Sequence, residues 1–248
     1  MMPLQNDRRP WNVRALLEST ETPFAVADYR PRAVLFHQGD PCDSVMYIER
    51  GRVWLAVMAR SGKEAICGVL GSGAFLGEEA LAGCRERPQS ATAMASTEVL
   101  VVAKADMSRL LRTQSGLTGH FIAHLIARHT RLEVTLTDQL LHSSEERLAH
   151  VLLALASCDE RRPGRYVLPH LPQEIIAEMV GTTRSRVNAF MGKFKKLGFL
   201  EGHRGMLHVN PGRLHAVRDG GRPISLAASP ALPQAAEAEG RRWPLEGS

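Results

Sequence analysis

The sequence predicts an α+β protein in three parts: an N-terminal β-roll (jelly roll), a long helix and a C-terminal winged helix-turn-helix. Three observations carry this prediction. Short apolar runs separated by glycine turns fill residues 30–103, and many short strands at near-regular spacing argue for a roll or barrel. The apolar period then changes: Ile122, Leu125, His129, Leu132 and Leu136 recur 3 and 4 apart, the spacing of a seam that packs on another helix. Finally, Gly181–Met191 reads as a turn feeding a helix that is apolar on one side and basic on the other.

Taken in order, residues 1–20 are polar and predicted to be a flexible segment, with at most a helical turn at Val13–Leu17. A β-roll sensor domain is expected over 21–116. Its clearest strands are Ala33–Phe36, Val45–Ile48, Val53–Val57, Ala65–Leu70 and Val99–Val102, bounded by turns at Gly39, Gly51, Gly62 and Gly71–Gly73. Met107, Leu110 and Leu111 fit one short helix, and the seam helix should run over 117–141. That seam suits a partner subunit better than the small roll alone. Residues 142–146 read as a hinge, followed by a helix from Arg147 to Ala156 with Leu148, Val151, Leu152 and Leu155 on its apolar face.

The region 147–218 should form the second domain. Tyr166–Leu168 reads as a short strand, and Leu171-Pro172-Gln173-Glu174 opens a helix whose Ile175, Ile176, Met179 and Val180 face a core. Thr182 and Thr183 are natural N-caps for the next helix. Val187, Phe190, Met191, Phe194 and Leu197 form its apolar stripe, while Ser185, Asn188, Ala189, Gly192 and Lys196 point the other way. A helix that begins with Arg184, Ser185, Arg186 and Asn188 is equipped to read base edges and hold phosphates. Phe199–Glu201 and Leu207–Val209 around Gly205 suggest a two-stranded wing. From Asp219 the chain is rich in Pro, Ala, Gly and Ser, and 219–248 is predicted to be disordered.

Composition agrees. With 248 residues, 44% apolar and 23% charged, the chain has room for two cores. Arg184, Arg186, Lys193, Lys195, Lys196 and Arg204 against Glu201 alone make this one stretch as positive as the entire chain, +5. Charge concentrated in this way marks a surface that meets a polyanion. Cys42, Cys67, Cys84 and Cys158 are scattered without a CxxC pair, as expected for reduced thiols in a cytoplasmic protein. No apolar run approaches membrane-spanning length, so no membrane partner is expected.

Four segments occur in order: Phe36-His37-Gln38-Gly39-Asp40, Tyr47-Ile48-Glu49-Arg50-Gly51, Gly73-Ala74-Phe75-Leu76-Gly77-Glu78, and Ala177-Glu178-Met179-Val180-Gly181-Thr182-Thr183-Arg184. Together they resemble the cyclic-AMP receptor / fumarate-nitrate regulator (Crp–Fnr) family of bacterial transcription factors over roughly residues 25–215. The resemblance implies a cyclic-nucleotide-binding-like roll, a dimerisation helix and a homodimer on double-stranded DNA with two-fold symmetry, and RNA polymerase as a further partner. By that match Arg184, Ser185 and Asn188 lie where base-reading residues lie, with Arg186 beside them at the helix start. Gln173, Thr183 and Lys193 are better placed for phosphates. Ala189 departs from an Arg common in close relatives of the cyclic-AMP receptor, so a different target sequence is expected.

The same resemblance locates an effector pocket at Gly77, Glu78, Arg87, Gln89, Ser90 and Ala91, with Leu132 and Glu133 on the dimerisation helix. In the cyclic-nucleotide binders the Glu accepts from the ribose hydroxyl, and an Arg-Ser pair follows it. Here Gln89 replaces that Arg and cannot supply the charge a cyclic phosphate needs. Arg87, two residues earlier, would share a face with Gln89 on a strand and could substitute. Leu132-Glu133 replaces the adenine-contacting Thr-Ser. The expectation disfavours cyclic AMP and leaves open another nucleotide, another small molecule or no ligand. Residues 1–41 contain no cysteine, so no iron–sulphur cluster is expected. His120 and His124, i and i+4, lack a third ligand at useful spacing, and no metal set is predicted.

Other classes compete less well. A solvated polar helix face would explain Arg184 to Asn188 but not the capped turn before it. A cupin-like metalloenzyme needs a His/Glu cluster on its strands, yet the strand region holds only His37; no enzyme is expected. A nucleotide-type signalling module without DNA output would not concentrate charge after Gly181.

Overall fold

The computed structural model describes residues 12–156, 166–168, 171–203 and 206–218. The expected tail 219–248, Cys158 and Arg204 lie outside the described residues. The N-terminal part is a roll of two four-stranded antiparallel sheets. One has the order β1 (Ala25–Tyr29), β8 (Thr97–Ala103), β3 (Ser44–Arg50), β6 (Phe75–Leu76); the other β2 (Val34–Phe36), β7 (Ser90–Ala93), β4 (Arg52–Met58), β5 (Glu64–Gly71). Every predicted strand is present. Register pairs such as Ile48 with Val99 and Leu55 with Ala91 turn alternate side chains inward. Phe36, Ile48, Val53, Leu55, Leu76 and Val99 fill the space between the sheets.

A second core lies outside the roll, where Phe75, Leu100 and Val102 meet helices. These are α1 (Val13–Ser19), α2 (Lys104–Thr113) and the start of α3 (Ser115–Leu141), which contribute Val13, Leu17, Met107, Leu110, Leu117 and Phe121. The expectation of a flexible segment over 1–20 is thereby corrected for α1. Asn12 caps the helix by accepting from Ala15 N at 2.9 Å, Val13 and Leu17 are buried, and Arg14 donates to Glu49 at 2.8 Å and also pairs with Glu98. Two apolar anchors and a bridging guanidinium suffice to dock so short a helix.

The third core belongs to the second domain. It joins α4 (Ser144–Ala156), α5 (Gln173–Val180), α6 (Arg184–Lys196) and α7 (Pro211–Arg218) to a small sheet of order β10 (Leu200–His203), β11 (Met206–Val209), β9 (Val167–Leu168). Leu148, Leu152, Val180, Val187, Phe194 and Leu214 are fully buried within it.

Several boundaries move: the long helix, expected from 117, begins at Ser115. The hinge expected at 142–146 contracts, because α4 begins at Ser144. Ser143 Oγ accepts from Glu146 N at 3.3 Å while Glu146 Oε2 accepts from Ser143 N at 2.7 Å. This reciprocal capping box starts the helix three residues before Arg147. On α6, Leu197 is the C-cap and 46% exposed, so it leaves the buried stripe.

Candidate nucleic-acid interface and effector pocket

The turn into α6 is made by Gly181, which sits at φ +69° as the C-cap of α5; only glycine enters that region without strain. Thr182 N then donates back to Ala177 O at 2.9 Å. Thr183 caps α6, its hydroxyl accepting from Arg186 N at 3.3 Å. Burial of Val187, Met191 and Phe194, at i, i+4 and i+7, fixes the rotation of the helix. Arg184, Ser185, Arg186, Asn188 and Lys193 are consequently exposed.

The exposed groups are held in position by light contacts. Arg184 Nη1 lies 2.8 Å from Glu174 Oε1, Gln173 Nε2 donates to Asn188 Oδ1 at 3.3 Å, and Lys193 Nζ reaches Glu145 at 2.7 Å. Exposed ion pairs of this kind contribute under about 1 kcal/mol, so they cost little to displace. Lys193, Lys195 and Lys196 occupy the last turn of α6, where the helix dipole favours cations.

In the roll, Gly77 at φ +77° starts a short 3-10 turn over Glu78–Ala80. Glu78 is nearly enclosed, and burial pushes its carboxyl pKa up against the opposing pull of Arg128. Arg128, on α3, pairs with Glu78 Oε1, while Oε2 has no hydrogen-bond partner. Arg87 is 2% exposed and lies in the loop before β7, not on a strand. Its guanidinium stacks 4.5 Å above the Phe36 ring and donates to Ser44 Oγ at 2.9 Å, leaving Nε and Nη1 unpartnered.

The remaining predicted pocket residues diverge. Gln89 donates to Glu79 at 3.1 Å, Ser90 Oγ accepts from Gln38 N at 2.9 Å, and Ala91 is wholly inside the roll. Leu132 is 46% exposed and Glu133 points outward beside His129. Both lie at least a turn beyond Arg128, the α3 residue that meets Glu78. Sequence reasoning missed Arg128. Its signal was a cation one turn after His124, on the side of α3 that faces the roll. His120 and His124 pack edge-on against Phe75 at 5.8 and 5.6 Å, and desolvation, first among several causes, pushes His124 down to about 4.

Residues 26–114 match the cyclic nucleotide-binding domain family, and residues 146–217 match the Crp-like helix-turn-helix domain. The cyclic AMP receptor protein of Thermus thermophilus is 30% identical over 182 residues, 73% of this chain and 81% of that protein. The chain belongs to the Crp–Fnr family of transcription regulators. The fold of FixK2 from Bradyrhizobium japonicum matches with a TM-score of 0.68 at 18% identity, covering 79% of this chain and 97% of that one. The c-di-GMP responsive regulator CLP of Xanthomonas campestris matches at 0.65 and 19% identity, covering 75% and 93%. Members of this family are regulators, not enzymes, and the helix-turn-helix of this chain is a DNA-binding domain. Among the described residues no helix is long and apolar enough to cross a membrane.

Proposed function

We propose that two copies of this chain pair through α3 and bind a two-fold symmetric DNA site, one α6 in each of two successive major grooves. The uncovered apolar face of α3 carries this reading. Ile122, Ile126, Leu132, Leu136 and Leu140 are 46–74% exposed along one helix, a stripe that a soluble protein rarely leaves in water. Leu125, expected in that seam, turns partly toward the core between the roll and the helices, and Ile126 takes its place on the outer face. Within each half-site Arg184, Ser185 and Asn188 read bases, with Arg186 at the same helix start, while Gln173, Thr183 and Lys193 hold phosphates.

The roll is proposed to take a small anionic effector. Arg87 offers two buried, unpartnered N–H groups and Glu78 one unpartnered oxygen, the donors and acceptor an anion with a neighbouring hydroxyl requires. Regulators of this fold are named for cyclic AMP and for c-di-GMP, so the fold alone does not select the nucleotide.

Sedimentation of the full chain, combined with footprinting of sites selected from random DNA, tests the reading. Expected are a dimer and two protected half-sites about 10 base pairs apart centre to centre, with Leu136→Asp monomeric and weak on DNA. A wild-type monomer protecting one half-site would overturn it. Calorimetry against cyclic AMP, cyclic GMP and c-di-GMP tests the pocket; binding left unchanged by Arg87→Ala counts against the effector assignment.

A further inference from the structure

Where α3 gives way to α4, three donor side chains converge. Asp138 lies in the last turn of α3, His142 caps that helix four residues on, and His150 comes from about two turns into α4. One ligand atom from each lies within 4.8 Å of the other two. His142 Nδ1 is 3.1 Å from Asp138 Oδ1, His150 Nδ1 contacts Oδ2, and the two imidazoles meet edge to face with centroids 5.2 Å apart. All three side chains are at most 30% exposed.

Ion pairing alone leaves atoms over. His142 Nδ1 makes no hydrogen bond of acceptable angle despite its distance, and His150 Nε2 has none. A buried ring nitrogen without a partner costs about 1–3 kcal/mol. A shared cation would use such a lone pair. Around a tetrahedral zinc-like ion with donors about 2.0–2.1 Å away, neighbouring donor atoms are roughly 3.3 Å apart, close to the 3.1 Å edge already present. The surroundings carry one charge of each sign. Glu146 interacts electrostatically with both imidazoles and is held below the usual carboxylate range, chiefly by its hydrogen bonds to Ser143. Arg147, the nearby cation, spends its N–H groups on His142 O at 2.9 Å, Val180 O at 3.0 Å and Ser144 Oγ at 3.4 Å.

The geometry points to a divalent transition-metal site of the zinc class, made by Asp138, His142 and His150, that clamps α3 to α4. Two imidazoles with one carboxylate suit zinc, cobalt or nickel rather than calcium or magnesium. Three protein ligands leave a fourth position for water. Binding requires neutral imidazoles, so any protons they carry pass to solvent. The clamp also bears on the turn before α6. Arg147 and, at 3.5 Å, Gln139 both donate to Val180 O, the residue before Gly181. A metal fixing the α3–α4 angle thus fixes the base of the helix-turn-helix. That consequence for DNA rests on the regulator reading above; the metal site does not.

The test uses chelator-treated full-length protein. Calorimetry with Zn²⁺ should give one ion per chain, weakened roughly tenfold or more in both His150→Ala and the near-isosteric Asp138→Asn. Zn²⁺ should raise the melting temperature of wild type and not of Asp138→Asn, whose metal-free melt checks that it folds. Co²⁺ should give an intense tetrahedral spectrum without a thiolate charge-transfer band. Equal Zn²⁺ affinity in wild type and Asp138→Asn, or a thiolate band, would overturn the site. With Zn²⁺ bound, affinity for the selected DNA should change by roughly fivefold or more in wild type alone. Unchanged affinity refutes the clamp, and a chain that binds Zn²⁺ here but no DNA refutes the regulator reading instead.

Discussion

Arg128 on α3 holds the carboxylate of Glu78 in the short 3-10 turn after β6, adding an ion pair to the apolar packing of the long helix on the β-roll domain. The two side chains are 18% and 15% exposed, so neither charge has water enough to stand alone. Arg128→Ala should therefore destabilise the chain by about 2–4 kcal/mol at neutral pH, because it strands a buried carboxylate. Burial already raises the Glu78 pKa, and loss of the cation raises it further. A carboxyl with a raised folded pKa contributes stability below its unfolded pKa and loses it as pH rises. The deficit of Arg128→Ala should therefore shrink on acidification, and Arg128→Met with Glu78→Gln should recover much of it. Urea titrations at neutral and mildly acidic pH measure both effects.

His124 makes the opposite demand. Packed on Phe75, with its pKa pushed down to about 4 mainly by burial, it is neutral in the fold at neutral pH. Its contribution is present above the unfolded value near 6.5 and is lost as pH falls toward 4. Partial solvent contact reduces the full linkage to roughly 1–2 kcal/mol. His124→Leu should remove that part of the acid sensitivity, which thermal melts from pH 7 down to about pH 4 would show as a flatter profile.

The elements legible in the sequence are those whose pattern is strong and local. β3, β4, β5 and β8 alternate or run apolar because large side chains line the roll. β7, Ser90-Ala91-Thr92-Ala93, escaped because small residues pack tightly there without a hydrophobic signature, although Ala91 and Ala93 are fully buried. β6 has two residues, and α7 one fully buried leucine, Leu214. The exposure of Arg184, Ser185 and Asn188 on α6 could be read because a capped turn and three buried anchors set the face of that helix. Arg128 could not, since its partner lies 50 residues away in the chain. The triad Asp138, His142 and His150 spans a helix break, so helical spacing exposes only its first pair.

Gly77 is a backbone requirement inside the proposed pocket. A Cβ there would lie 2.1 Å from Arg87 Nη1 and 2.9 Å from Ser44 O, at a φ of +77°. The carbonyl cannot move without breaking β3, so Arg87 must swing out of its place over Phe36. Gly77→Ala should cost about 1–3 kcal/mol from backbone strain alone. It should also abolish effector binding even where the variant still folds and binds DNA. Arg87→Ala in the same background separates the two effects: it relieves the clash, restores part of the melting temperature and leaves the pocket inactive.

Arg184 and Lys193 stand at opposite ends of α6 and should fail differently. Arg184 begins the helix, where a guanidinium can meet a guanine edge with two hydrogen bonds, and the exposed Glu174 competes for it. Arg184→Ala should cost about 1–3 kcal/mol on the selected site and relax preference at one base position per half-site. Lys193 lies in the last turn and pairs with Glu145, a geometry suited to a phosphate and not to a base. Lys193→Ala should weaken all sequences alike and lower the slope of log affinity against log salt by about 1 for each half-site contact. Competition binding across single-base variants at several salt concentrations distinguishes the two. Equal loss of specificity in both variants would show that α6 enters the groove in a different orientation.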